Sequence, residues 1–132
     1  MDLLRRVLIL QAIVWAICGA AIAVAPTLVL ETMFDLPPLP DQGYVRIAGV
    51  FSVSLAMLMV LVARRLDVLW WFAWAFVFAS SGSALVAGLN AIFGLPEGSS
   101  ALLWWLFTAA SAAFAIGLLA GLARTGTERP PV

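Results

Sequence analysis

Four apolar runs, each long enough to cross a bilayer as a helix, take up most of this 132-residue chain. They cover about residues 7–25, 44–63, 68–89 and 101–122, and none contains an acidic residue or a proline. A hydrocarbon core of ~30 Å takes about 20 helical residues. Inside it every backbone N–H and C=O must be satisfied within its own segment, so each run reads as a transmembrane α-helix. Residues 1–132 are therefore expected to form one all-α integral membrane domain, a four-transmembrane-helix bundle. The first run, preceded by Arg5 and Arg6 and ending on Ala21, Ala23 and Ala25, has some marks of a signal peptide. Its apolar stretch is too long for one, and we read it as a retained span.

Composition removes several functions. Hydrophobic residues make up 64% of the chain and charged residues 11%, against roughly 45–50% and 25% in soluble domains. The seven basic residues are all arginines and the net charge is zero, so no basic patch points to nucleic acid. Histidine is absent, which takes away the commonest metal and haem ligand. Cys18 is the only cysteine, which precludes an internal disulfide or a CxxC pair. It falls in an apolar run and reads as a small hydrophobe. No metal or cofactor is expected.

Charge sets the orientation. If the spans alternate, Arg5, Arg6, Arg64, Arg65, Arg124 and Arg129 share one side and Arg46 alone lies on the other. Cytoplasmic loops collect arginine, which puts both termini inside a cytoplasmic membrane, the bacterial inner membrane. Trp70 and Trp71 then fall at the inner interface and Trp104 and Trp105 at the outer one. In the first outer connection Pro26 can open a helix. Thr27, Glu31 and Asp35 recur every four residues opposite Val29, Leu30, Met33 and Phe34, the pattern of a short interfacial amphipathic segment. The prolines at 37, 38 and 40 end it.

Shifted by 59 residues, the chain matches itself. Arg5-Arg6 falls on Arg64-Arg65, Trp15-Ala16 on Trp74-Ala75, Phe34 on Phe93, and Leu36-Pro37 on Leu95-Pro96. Over the 34 pairs starting at Arg5 there are eleven identities, where composition alone gives about three. The second halves match less well. A bundle of two parallel two-helix repeats, residues 5–63 and 64–124, is the expected architecture, related by an axis along the membrane normal.

Small residues mark the packing faces, because helices in lipid associate through close backbone approach. In the last span Ala109, Ala113, Gly117 and Gly121 recur at i+4 and are expected to form a helix–helix contact. Ala12, Ala16 and Ala20 do the same in the first span, and Ser80, Ala84 and Gly88 in the third. Polar residues within spans usually face the bundle interior. Ser80, Ser81 and Ser83 around Gly82 form the densest such patch and are candidates for ligand contact or for packing. Trp15 and Trp74, placed at equal depth by the repeat, are candidates to line an aromatic cavity. Arg46, at the outer start of the second span, is a candidate anion or partner contact, with snorkelling to headgroups as the alternative.

Arg46-x-x-Gly49, the Phe34-x-Leu36-Pro37 loop and the arginine-bounded hairpins resemble small four-helix bacterial membrane proteins of the DoxX-like type. That resemblance implies a four-helix fold and, from some members, an accessory role in membrane oxidoreductase systems; it carries over no catalytic residue. Proton chemistry needs a titratable group beside its substrate, and no span holds a carboxylate, histidine or lysine. We therefore read no enzyme here. The expected role is an accessory or structural subunit of a membrane protein complex, with other membrane chains or a homo-oligomer as partners. The alternative is a binder or carrier of a hydrophobic small molecule such as a lipid or quinone.

The arginine asymmetry predicts that single cysteines at positions 2 and 66 react only from the cytoplasmic side, and those at 40 and 98 from outside. Outside labelling at position 2 or 66 would overturn the orientation.

Overall fold

The computed structural model describes residues 1–128; Arg129, counted above with the inner arginines, lies outside the described residues. The described residues form helices and connections, with no strand among them. Helix α1 spans Asp2–Val24, α2 Gly43–Arg64, α3 is the single turn Leu66–Leu69, α4 spans Ala73–Leu89 and α5 Leu102–Glu128. A 3-10 turn, Trp70–Phe72, joins α3 to α4, and π-helical stretches, Leu28–Met33 and Asn90–Gly94, follow α1 and α4. Four segments are long and apolar enough to cross a membrane: Asp2–Val24, Gly43–Arg64, Leu66–Gly94 and Leu102–Thr127.

The helices outrun the apolar runs at the arginine end. α1 begins at Asp2 and carries Arg5 and Arg6, and α5 continues through Arg124. Arginine is a good helix former, and its long stem lets the charge reach water from a helix that starts in lipid. Asp2 sits in the first turn of α1, where the helix dipole favours an acid.

The reversal between α2 and α3 takes one residue. Arg65 leaves helical geometry at φ −122°, ψ 39°. Its N–H donates to the Leu61 and Val62 carbonyls, while its own carbonyl accepts from the Val68 and Leu69 N–H groups. Leu66, directly after it, is fully buried, so exposed Arg65 is the better place for a labelling cysteine in this connection.

The connection after α1 resumes a helix at once. Pro26 lacks the N–H that a first turn leaves unbonded, and the Val29 N–H donates to the Ala25 carbonyl. The stretch then winds as a π-helix, closed by Phe34 N–H to Val29 C=O at 3.1 Å. It stops at Asp35, whose φ of +52° is a left-handed conformation that aspartate tolerates better than most side chains.

α1 and α2 form one tight hairpin, and α4 and α5 form a second. The first is so close at Gly19 and Gly49 that neither has room for a side chain. A Cβ on Gly49 would lie 2.6 Å from the Ala23 nitrogen and the Gly19 oxygen, and a Cβ on Gly19 would lie 2.7 Å from Ser52 Cβ. The hairpins meet chiefly through α1 and α5. There a Cβ on Gly121 would lie 2.9 Å from Leu4 Cα, and one on Gly117 3.3 Å from Val7 Cγ1.

The core sits in the arginine half of the bundle. Leu4, Leu8, Met59, Leu66 and Leu118 are wholly buried there, with Phe76, Val77 and Leu122 around them. The lipid-facing shell is the reverse of a soluble protein: Ile17, Phe51, Met57, Val68, Phe78, Val86 and Ile116 are each more than 60% exposed. Such a shell suits a hydrocarbon solvent and not water.

Gly49→Ala should destabilise by about 1–3 kcal/mol, the range for overpacking, because its Cβ meets backbone atoms that cannot step aside. Gly82→Ala meets nothing within 4 Å and should hold or raise stability, since alanine gains about 1 kcal/mol over glycine in a helix. Melting temperatures of both variants in detergent test this; equal melting of Gly49→Ala and wild type would refute it.

Candidate ligand cavity

The two hairpins separate in the half of the bundle away from the arginines and leave a partly open cavity of about 190 Å³. α1 brings Trp15 and Cys18 to it, α2 brings Ser52, α4 brings Ser83, and α5 brings Phe107, Ser111 and Phe114. α1 and α5 come close at Gly117 and Gly121. Ala109 and Ala113, higher on the same stripe, are exposed and outside that contact. α1 stays held to α2 at Gly19 and Gly49, so it cannot follow α5 and close the gap.

The chemistry of the lining is polar without charge. Ser52 donates back to the Ala48 carbonyl of its own helix at 2.9 Å, the usual way a helical serine satisfies itself in lipid. Ser54 and Thr108 do likewise. Ser83 and Ser111 make no such bond, although Ser111 is only 5% exposed. Both residues line the cavity. Above them, Trp104 has a buried indole N–H with no partner. Its ring makes an edge contact with Phe34 at 5.1 Å.

The serine patch of α4 is split by the 100° step of the helix. Ser83 faces the cavity. Ser81 is exposed on the outside. Ser80 turns inward, accepts a 2.6 Å bond from Gln11 Nε2 and donates to the Phe76 carbonyl at 2.7 Å. Gln11 Oε1 is buried and has no partner. The Gln11–Ser80 pair was not expected from sequence: both residues were visible as polar positions in spans, but nothing along the chain joined them.

Trp15 and Trp74 do not share a site. Trp74 lines a groove at the arginine end with Trp70, Trp71, Leu119 and Leu122, and Trp70 stacks on Trp71 at 4.2 Å. Arg46 lies apart from both. Its Nη1 donates to the Ala23 carbonyl at 3.1 Å and to the Val24 carbonyl at 3.4 Å, and so caps the C-terminus of α1. A cation there also favours the helix dipole. Asp41 accepts from the Gly43 N–H at the start of α2.

No group of three or more potential metal ligands occurs among the described residues. Comparison with family models, curated proteins and solved structures finds no match. The DoxX-like resemblance therefore stands on its short motifs alone.

Replacing Gln11 by methionine keeps most of its volume and removes the orphaned oxygen. An interhelical hydrogen bond in lipid is worth about 0.6 kcal/mol on average, so Gln11→Met should change stability by less than about 1 kcal/mol. Gln11→Ala leaves a void and should cost about 2 kcal/mol or more. Equal losses in denaturant titrations of the two variants would mean the bond, not the packing, holds this position.

Proposed function

We propose that this chain binds a hydrophobic small molecule in the cavity between its two hairpins. The observation that carries this reading is the pair of unpartnered serine hydroxyls, Ser83 and Ser111, on an uncharged, aromatic-lined cavity inside a lipid-facing bundle. A void among packed helices forfeits dispersion contacts, and a guest restores them while satisfying the hydroxyls. Trp15 and Ser83 are the sequence candidates that belong to this site.

A second reading, an accessory or structural subunit of a membrane complex, is supported by the exposed upper half of the small-residue stripe. Ala109 and Ala113 offer a flat strip to a helix of another chain or of a second copy. The two readings are compatible.

We infer that the bundle lies in a bacterial inner membrane with both termini cytoplasmic. The arginines on α1, on α2 and α3's flank, and on α5 support this by sharing one end of the bundle. We also infer descent from a duplicated hairpin. The 59-residue self-match supports it, as does the recurrence of a π-helical stretch after α1 and again after α4. The stretch Leu28–Met33, with Val29 buried and Leu28 and Met33 exposed, is proposed to rest in the outer interface.

Native mass spectrometry of gently solubilised protein should show a retained non-protein mass that is lost in Ser111→Leu, whose side chain fills the cavity. Retention of the same mass by that variant would refute cavity binding; a co-purifying membrane chain would establish the second reading.

A further inference from the structure

The cavity opens towards lipid. A groove of about 440 Å³ runs between α4 and α5, lined by Phe78, Gly82, Val86 and Trp104 among others. Ser83 and Phe107 line both the groove and the cavity. Phe78 and Val86 are 82% and 66% exposed, so the groove faces the hydrocarbon. The water-facing end is fastened instead. Phe34 lies against Trp104, Ser99 Oγ donates to the Asp35 carbonyl at 3.2 Å, and the Ser100 N–H donates to Asp35 Oδ2 at 3.3 Å. These contacts tie the outer loop of one hairpin to that of the other.

We propose that cavity and groove together hold an uncharged, single-chain lipid ending in a hydroxyl, which enters sideways from the bilayer. The proposal rests on the small-molecule reading above. Head size follows from volume: a cavity of about 150 Å³ takes one benzene, so about 190 Å³ takes a short polar end and no phosphodiester headgroup. Charge follows from the lining, which holds no arginine, aspartate or glutamate in either the cavity or the groove. An ion buried there without a partner would cost many kcal/mol. The hydroxyl follows from the hydrogen-bonding inventory. Serine both donates and accepts, whereas the indole N–H of Trp104 only donates. An alcohol oxygen accepts from one such donor and its proton goes to a serine oxygen; a carbonyl or ether cannot do the second. One groove admits one chain, and Gly82 keeps it open, since nothing lies within 4 Å of the place a side chain would occupy.

The test uses the full chain in phosphatidylcholine vesicles with a diazirine-bearing long-chain primary alcohol. Wild type should be photolabelled on α4 and α5, and the unlabelled alcohol should compete. Gly82→Leu fills the groove from a position with free space around it. It should cut labelling by about tenfold, equivalent to about 1.4 kcal/mol. Val86→Trp, on the exposed wall of the same groove, should do the same should Gly82→Leu melt early. The carboxylate of equal chain length should compete at least tenfold less well. Equal competition by the carboxylate would overturn the uncharged head, and full labelling of both groove variants would overturn the lateral path. Failure of wild type to label, while it keeps a Ser111-dependent mass in native spectra, would overturn this ligand class and leave the small-molecule reading standing. Loss of that Ser111 dependence would remove both.

Discussion

Lipid supplies no hydrophobic drive between helices, so this bundle depends on backbones coming close enough for dispersion to act. Two contacts meet that need. Gly19 and Gly49 lock α1 to α2 in the upper half, and Gly117 and Gly121 seat α5 on Val7 and Leu4 in the lower half. Because the two locks lie at different heights and involve different partners, α1 is pinned on one side above and on the other side below. The rest of the architecture follows: a filled core near the arginines and a gap between hairpins away from them.

That division separates stability from chemistry. The lower half contains Leu4, Leu8, Met59 and Leu118, all wholly buried. Its polar contacts are closed on themselves: Thr125 donates to the Gly121 carbonyl, and Arg5 Nε donates to the Ala63 carbonyl at the end of α2. The upper half holds the cavity serines, Ser83 and Ser111, and the buried, unpartnered Trp104 N–H. Gln11 and Ser80 mark the boundary, an interhelical bond with one oxygen left over. Polar atoms line the cavity while packing elsewhere carries the fold.

Much of the fold was legible in the sequence because lipid imposes a length on every span. Apolar runs of the required length reveal four crossing helices, and the lone Arg65 turn falls between the closest two of them. The site was legible only in part. Trp15 and Ser83 were identifiable as a mid-span aromatic and a mid-span serine, but Ser111 and Phe107 look like ordinary members of the last span. Their place on the cavity comes from the splay between α1 and α5, which depends on where small residues touch backbone and not on where they occur. The stripe on α5 illustrates this: its four members share a face, yet Gly117 and Gly121 are packed while Ala109 and Ala113 are exposed. Arg46 was legible as a charge at the start of a span, but its partners were not. A charge at a helix start suggests a ligand until the facing helix end shows two carbonyls in reach.

The cap made by Arg46 has a further consequence. It ties the start of α2 to the end of α1 across a long connection, and Gln42 Nε2 adds a second tie to Thr27 Oγ1 at 2.8 Å. With the hairpin closed by these bonds and by the glycine contact below them, the stretch through Pro37, Pro38 and Pro40 does not have to hold the two helices together. Closure entropy grows only slowly with loop length, about 0.6 kcal/mol for each doubling. The apex of the loop between α1 and α2 is thus a place where the chain tolerates inserted sequence, such as an epitope or a reporter domain, while the membrane-embedded fold stays intact.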